Sequence, residues 1–185
     1  MRMPIYIALL RGINLGPHKR MKMEKLRQAL DTLGFSDIRT YIQSGNVVFR
    51  SPTRLRTETL SRRIERMILA EFGFAAGVVS RSKEELEKTV RDNPFLKQDG
   101  VDPKRLHVMF LPEVPAPTVA RELEKLTRPP DQARRLGNDI FLYLPNGVAH
   151  SSLTNNPLER KFLKGGTLRN WTTVCAVQRI ASELA

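Results

Sequence analysis

The sequence predicts an α+β fold made of two similar subdomains in tandem, each an antiparallel sheet packed on helices. Three observations predict it. The first 81 residues read as strand, helix, strand, strand, helix, strand. The residues from 105 onward repeat that order. Between the two lies a capped helix followed by a polar stretch containing Gly and Pro, which reads as a connector. The repeated order is the split βαβ arrangement of ferredoxin-like domains. The expectation is therefore a βαββαβ subdomain at 1–81, a connecting helix and linker at 82–104, and a second subdomain at 105–185 with an extra C-terminal helix.

Each element has its own warrant. Ile5–Leu10 is a continuous apolar run that stops at Gly, Asn and Pro, as a buried strand does. Met23, Leu26, Leu30 and Leu33 recur at helical spacing, and Gly34 supplies a stop. Ile38–Ile42 and Val47–Arg50 are short β-branched runs around Gln43-Ser44-Gly45-Asn46, a hairpin with a glycine-containing loop. Leu60, Ile64, Met67, Ile68 and Phe72 make one stripe of a helix whose other faces carry Arg54, Arg56, Arg62, Arg63 and Arg66. Val78–Ser80 is the fourth strand. Ser82 with Glu85 three residues on is a capping box opening a helix to Arg91. Asn93-Pro94-Phe95 stops it, with Phe95 turned inward.

In the second half, His107–Leu111 is a strand and Thr118–Leu126 a helix introduced by Pro115 and Pro117. Ala133–Leu136 and Ile140–Leu144 form a strand pair about Gly137-Asn138-Asp139. Ser151–Leu163 reads as partly helical, divided by Pro157. Thr167-Leu168 reads as a short strand, and Asn170–Leu184 as a final helix capped by Asn170. A local match, Gly45-Asn46-Val47-Val48-Phe49 with Gly137-Asn138-Asp139-Ile140-Phe141, suggests that the halves arose by duplication. Turn chemistry alone also favours Gly and Asn in both hairpins.

Composition narrows the class. The chain has 185 residues, 41% hydrophobic and 27% charged, the profile of a globular protein. No apolar run approaches the roughly 20 residues of a membrane span, and the apolar N-terminal run reads as a strand rather than a signal peptide. A single cysteine, Cys175, excludes an intrachain disulfide and points to a reducing cytoplasm. The net charge is +12 and the pI about 10.4. Up to Asp92 there are 18 Lys and Arg against 10 Asp and Glu, so the surplus is concentrated in the first half. Such a balance is the electrostatic footprint expected of nucleic-acid binding, and it is equally compatible with anionic small ligands or with solubility alone.

Polar signature residues sit at strand ends, where a scaffold presents functional groups. Arg11, Gly12 and Asn14 follow the first strand, with Lys19, Arg20 and Lys22 behind them. This resembles neither a P-loop nor a dinucleotide fingerprint, since no Gly-Lys-Ser/Thr follows and the glycine spacing is wrong. Gln43, Ser44, Gly45 and Asn46 offer amides and a hydroxyl, but Ser44 has no adjacent base to activate it; His18, in the preceding loop, is the only candidate. Arg169, Asn170 and Trp171 open the last helix, with Trp171 either a core anchor or a stacking surface and Arg169 a phosphate ligand. Cys and His spacing and the absence of an Asp/Asn run give no metal motif, and no cofactor is expected.

Longer stretches carry a resemblance. They are Ile7-Ala8-Leu9-Leu10-Arg11-Gly12-Ile13-Asn14, Tyr41-Ile42-Gln43-Ser44-Gly45-Asn46-Val47-Val48-Phe49, Tyr143-Leu144-Pro145-Asn146-Gly147 and Thr167-Leu168-Arg169-Asn170-Trp171-Thr172-Thr173-Val174. With these the chain resembles the bacterial family called domain of unknown function 1697, over essentially its whole length. The resemblance implies two ferredoxin-like halves and no established activity. Two positions depart from the family pattern: Leu168 stands for a second threonine, and Pro17 stands where a second glycine is frequent.

The functional expectation is a basic cytoplasmic protein that binds a nucleic acid or nucleotide-like anion through its strand-end loops, with those loops from both halves converging on one cleft. Arg62, Arg63 and Arg66 would form a basic face. Two alternatives belong to other classes. One is an enzyme on a small anionic substrate held by Arg11 and Arg169 and assisted by Ser44 or His18. The other is an interaction module whose helix from Arg54 to Phe72 docks an acidic protein.

Overall fold

A computed structural model describes residues 3–16, 19–151, 153 and 165–185. Pro17, His18, Ser152 and most of the expected Ser151–Leu163 helix fall outside the described residues. The chain divides into two compact units, Met1–Val90 with Cys175–Ala185, and Arg91–Val174.

The first unit holds strands β1 (Ile5–Arg11), β2 (Ser36–Tyr41), β3 (Asn46–Arg50) and β4 (Gly77–Ser82), in the order β2-β3-β1-β4. Every neighbouring pair is antiparallel. Helices α1 (Met23–Asp31) and α2 (Thr57–Phe72) cover one face. Tyr6, Ala8, Leu10, Val47, Phe49 and Val78 pack there against Met23, Leu26, Leu30, Leu60, Ile64 and Ile68. The opposite face, with Ile5, Ile7, Leu9, Val48 and Val79, is buried as well. That explains why β1 reads as a continuous apolar run rather than an alternating one.

Helix α2 begins later than the periodicity suggests. The Tyr6 hydroxyl accepts the Leu55 N–H and donates to the Leu55 carbonyl, both at 2.8 Å. Those backbone groups are thereby taken from the helix, and Arg54 and Arg56 precede it rather than decorating its face. Gly73 ends α2 in the left-handed conformation, φ 72°.

Helix α3 (Lys83–Arg91) follows β4 directly. Its capping box is formed as expected: Ser82 Oγ accepts the Glu85 N–H at 3.2 Å, and Glu85 Oε2 accepts the Ser82 N–H at 2.7 Å. Asn93 Oδ1 then accepts the Phe95 N–H at 3.0 Å, and Phe95 is buried.

The second unit repeats the plan. Strands β5 (Leu106–Phe110), β6 (Gln132–Leu136), β7 (Asp139–Tyr143) and β8 (Thr167–Asn170) lie in the order β6-β7-β5-β8, again antiparallel. Helix α4 (Pro117–Leu126) brings Leu123 onto Met109, Leu111, Ala133, Ile140 and Leu142. Pro117 is its first residue rather than a residue before it, the position where a missing N–H is harmless. Helix α5 (Trp171–Glu183) follows β8, and the Asn170 side chain accepts the Thr173 N–H at 2.8 Å, the expected N-cap. From Cys175 onward α5 groups with the first unit. There Arg50 donates to the Leu184 carbonyl and pairs with Asp37 at 2.8 Å, and Arg39 meets Glu183 at 3.3 Å.

Pairing register places the two halves residue on residue. The Leu10 N–H donates to the Gly45 carbonyl, and the Leu111 N–H donates to the Asn138 carbonyl. Leu9 faces Asn46 as Phe110 faces Asp139. Asn46 therefore corresponds to Asp139, one residue away from the sequence match. The reason is loop length. Tyr41 pairs with Asn46 across a loop of four residues, whereas Leu136 pairs with Asp139 across Gly137-Asn138 alone. The shared Gly-Asn is turn chemistry at two different turn positions, and the common strand order is the sounder sign of duplication.

Candidate functional site

The loop after β1 is organised by one side chain. Asn14 sits at φ 54°, a region Asn tolerates better than most residues. Its Oδ1 accepts the Met21 N–H at 2.7 Å, and its Nδ2 donates to the Met21 carbonyl at 3.1 Å and the Gln43 carbonyl at 2.8 Å. Its own N–H donates to the Lys19 carbonyl at 2.9 Å. Asn14 thus closes the loop onto the start of α1 and clips both to the β2–β3 hairpin. Lys19 Nζ adds a tie to the Ala75 carbonyl at 3.0 Å. Ile13 between these is buried in the core.

The hairpin is equally determined. Gly45 has φ 76°, and a Cβ there would lie 2.7 Å from both Leu10 Cβ and Ile13 Cδ1. Asn46 is fully buried, and its Nδ2 donates to the Tyr41 carbonyl and Ser44 Oγ, each at 3.0 Å. An amide donor on Ser44 orients the hydroxyl without taking its proton, so this contact does not make a nucleophile. Gln43 and Ser44 are exposed at the tip. Structure therefore sets Asn14 against Gln43 and Gly45 against Leu10 and Ile13, while Arg11 pairs with Gly77 of β4, and it shows that the Asn14 and Asn46 amides serve the loops.

Beside them runs an open groove of about 1220 Å³ bounded by the β1–α1 loop, the start of α1, the hairpin and the end of α2. Arg20, Lys22, Lys25 and Arg27 line it, against Glu24 and Glu71. Arg27 donates to Thr40 Oγ1 at 2.8 Å, which fixes one wall. Sequence reading singled out Arg20 and Lys22 but passed over Lys25 and Arg27, because a helical lysine or arginine is ordinarily a solvated one.

On α2, Arg62 and Arg66 are exposed, with Arg66 Nε donating to the Arg62 carbonyl at 3.3 Å. Arg63 is a structural residue as well. It donates to the Leu33 carbonyl at 2.8 Å, and its guanidinium lies 5.4 Å from the centre of the buried Phe35 ring.

In the second unit, Arg169 is buried and donates to Thr167 Oγ1 at 2.6 Å and the Leu168 carbonyl at 2.8 Å. Burial lowers its pKa to about 10. Trp171 is only 7% exposed, so its ring packs in the protein, as the core-anchor reading has it. Asn170 is the helix cap described above.

A residue absent from the sequence-based candidates is Arg81. It faces Ile7 across β1–β4, as Arg169 faces Val108 across β5–β8. It is 2% exposed and donates to the preceding carbonyl, Ser80, at 3.1 Å, as Arg169 does to Leu168. Each arginine is followed by the cap of the next helix, Ser82 or Asn170. The signal in the sequence is faint: Arg followed by an N-cap residue, twice.

Among the described residues no cluster of His, Cys, Asp and Glu could hold a metal ion, and no helix is long and apolar enough to cross a membrane. Burial raises the pKa of Cys175. The folded chain keeps this thiol protonated to higher pH than the unfolded chain does. Its contribution to stability is present below the ordinary thiol range and is lost as pH rises through the raised value. Alkylation of native protein by iodoacetamide near pH 8 should be several-fold slower than in urea, since only the thiolate reacts; equal rates would show an accessible, unperturbed thiol.

Together the two sheets, their shared strand order and the loop-borne polar clusters define an α+β protein with tandem ferredoxin-like halves. Residues 3–141 match the family described as protein of unknown function, DUF1697, and the chain belongs to that family. The fold is similar to that of the conserved bacterial protein SP0830 from Streptococcus pneumoniae, with a TM-score of 0.78 at 24% identity over 97% of this chain and 99% of that one. No curated protein sequence matches the chain.

Proposed function

We propose that this protein binds a nucleic acid or nucleotide-like anion along the groove of its first unit. The observation that carries the reading is the lining of that groove, where among the described residues Arg20, Lys22, Lys25 and Arg27 outnumber Glu24 and Glu71. Cations spaced along an open channel suit a polyanion, whose bound counterions are released as phosphates are neutralised. The net charge of +12 adds long-range attraction. The groove's openness and the mutual bonding of its loop amides favour binding over turnover, since an enzyme pocket is ordinarily enclosed.

Fluorescence anisotropy with labelled DNA and RNA at low and moderate salt tests this. The wild type should bind with an affinity that falls steeply with salt. The combined variant Arg20→Glu, Lys22→Glu, Lys25→Glu should bind at least about tenfold more weakly, and its log–log salt slope should be shallower by about 2. Arg62→Glu with Arg66→Glu, on α2, should do less. An unchanged affinity in the groove variant would refute the reading.

A further inference from the structure

We infer that the groove's occupant is a single strand of nucleic acid, whose bases contact Ile42 and Phe72 while its phosphates meet the groove's cations. This rests on the groove being the binding site. It goes further because it uses the groove's apolar lining rather than its charge.

Ile42 is 52% exposed and lines the groove. Its backbone is at φ 50°, the left-handed region that β-branched side chains avoid. Gly or Asn would fit that conformation with less strain. Packing does not account for an isoleucine here, because half its surface faces solvent.

Phe72, at the end of α2, is the aromatic residue that lines the groove among the described residues. It is part-buried, and its ring centre lies 6.2 Å from that of Phe74. Phe72 packs against the core of the first unit while it still borders the groove. An apolar contact and a supported aromatic among cations are the two ingredients of single-strand binding, in which base faces stack and the backbone follows positive charge. A duplex hides its base faces and would use only the cations. A small inorganic anion would likewise leave Ile42 and Phe72 idle.

The test compares a labelled oligothymidine and an oligouridine of roughly fifteen nucleotides with a duplex of equal length and an abasic oligomer, at low salt. The proteins are wild type, Ile42→Gly and Phe72→Leu. Ile42→Gly relieves the backbone, so it should fold and melt no lower than wild type. Phe72→Leu keeps apolar bulk against the core. The expected result is tighter binding of the single strands than of duplex or abasic oligomer. Each variant should lose about fivefold or more in single-strand affinity with duplex affinity unchanged. A preference for thymidine or uridine would assign DNA or RNA.

Equal binding of single strand, duplex and abasic oligomer, unaltered in both variants, would overturn the single-strand inference and leave the basic groove standing. No binding of any probe by wild type would overturn both.

Discussion

Gly45→Ala is expected to lower the free energy of unfolding by about 3 kcal/mol. Two costs combine. A residue with a Cβ at φ 76° enters the left-handed region, at about 1–2 kcal/mol. The new Cβ also falls 2.7 Å from Leu10 Cβ and Ile13 Cδ1, inside any real carbon–carbon contact. Ile13 can turn its terminal methyl aside, but Leu10 Cβ is fixed to a central strand. The strand or the hairpin must therefore shift, with overpacking of about 1–3 kcal/mol. Gly12→Ala is the control. Gly12 has φ 70° and no atom within 4 Å of the added Cβ, so only the same conformational cost of about 1–2 kcal/mol should appear. Urea unfolding of the two variants gives the difference directly. Equal losses would mean that the hairpin yields freely and that the contact between Gly45 and β1 does not determine the loop.

Asn14→Asp should cost about 2–3 kcal/mol, although it changes one atom of the side chain. The retained oxygen can still accept the Met21 N–H. The second oxygen, however, replaces a donor facing the carbonyls of Met21 and Gln43, at 3.1 and 2.8 Å in the wild type. Two attractive contacts become repulsive ones. Asn14→Gly removes all three side-chain bonds but relaxes the positive φ, and should cost less, about 1–2 kcal/mol. Hydrogen exchange gives a local readout. The Met21 amide, bonded to Asn14 Oδ1 at 2.7 Å, should exchange faster in Asn14→Gly than in the wild type. A stability order with Asp above Gly would show that the Gln43 and Met21 carbonyls find other donors.

The outcome for individual residues shows what local pattern conveys. Apolar periodicity identified β1, α1 and α2 because each must bury a face, and that demand is written into spacing. The Ser82–Glu85 box and the Asn170 cap were legible because a cap is a contact between neighbours in sequence. The late start of α2 was not legible, since it depends on the Tyr6 hydroxyl reaching Leu55 from another element. The register between the halves was also misread from sequence. Gly45-Asn46 and Gly137-Asn138 look alike, yet hairpin loops of different length place them one residue apart.

The candidate site divides along the same line. Strand-end position was enough to single out Asn14, Gln43, Ser44 and Asn46. It could not show that the amides of Asn14 and Asn46 are spent on their own loops. Lys25, Arg27, Ile42 and Phe72 became candidates only as walls of one groove, because they come from three elements distant in sequence. Arg81 and Arg169 each precede an N-cap residue in the sequence, but their equivalence is fixed by their strand partners.

By itself, then, the sequence of this protein determined the elements, their order, the caps and the excess of positive charge, all of which depend on composition or on residues within a few positions of one another. Tertiary structure alone decided which amides serve the loops, which arginines are buried, how the halves correspond and where cations and apolar side chains meet in a groove. Those properties arise from contacts between residues far apart in the chain, and local spacing carries no record of such contacts.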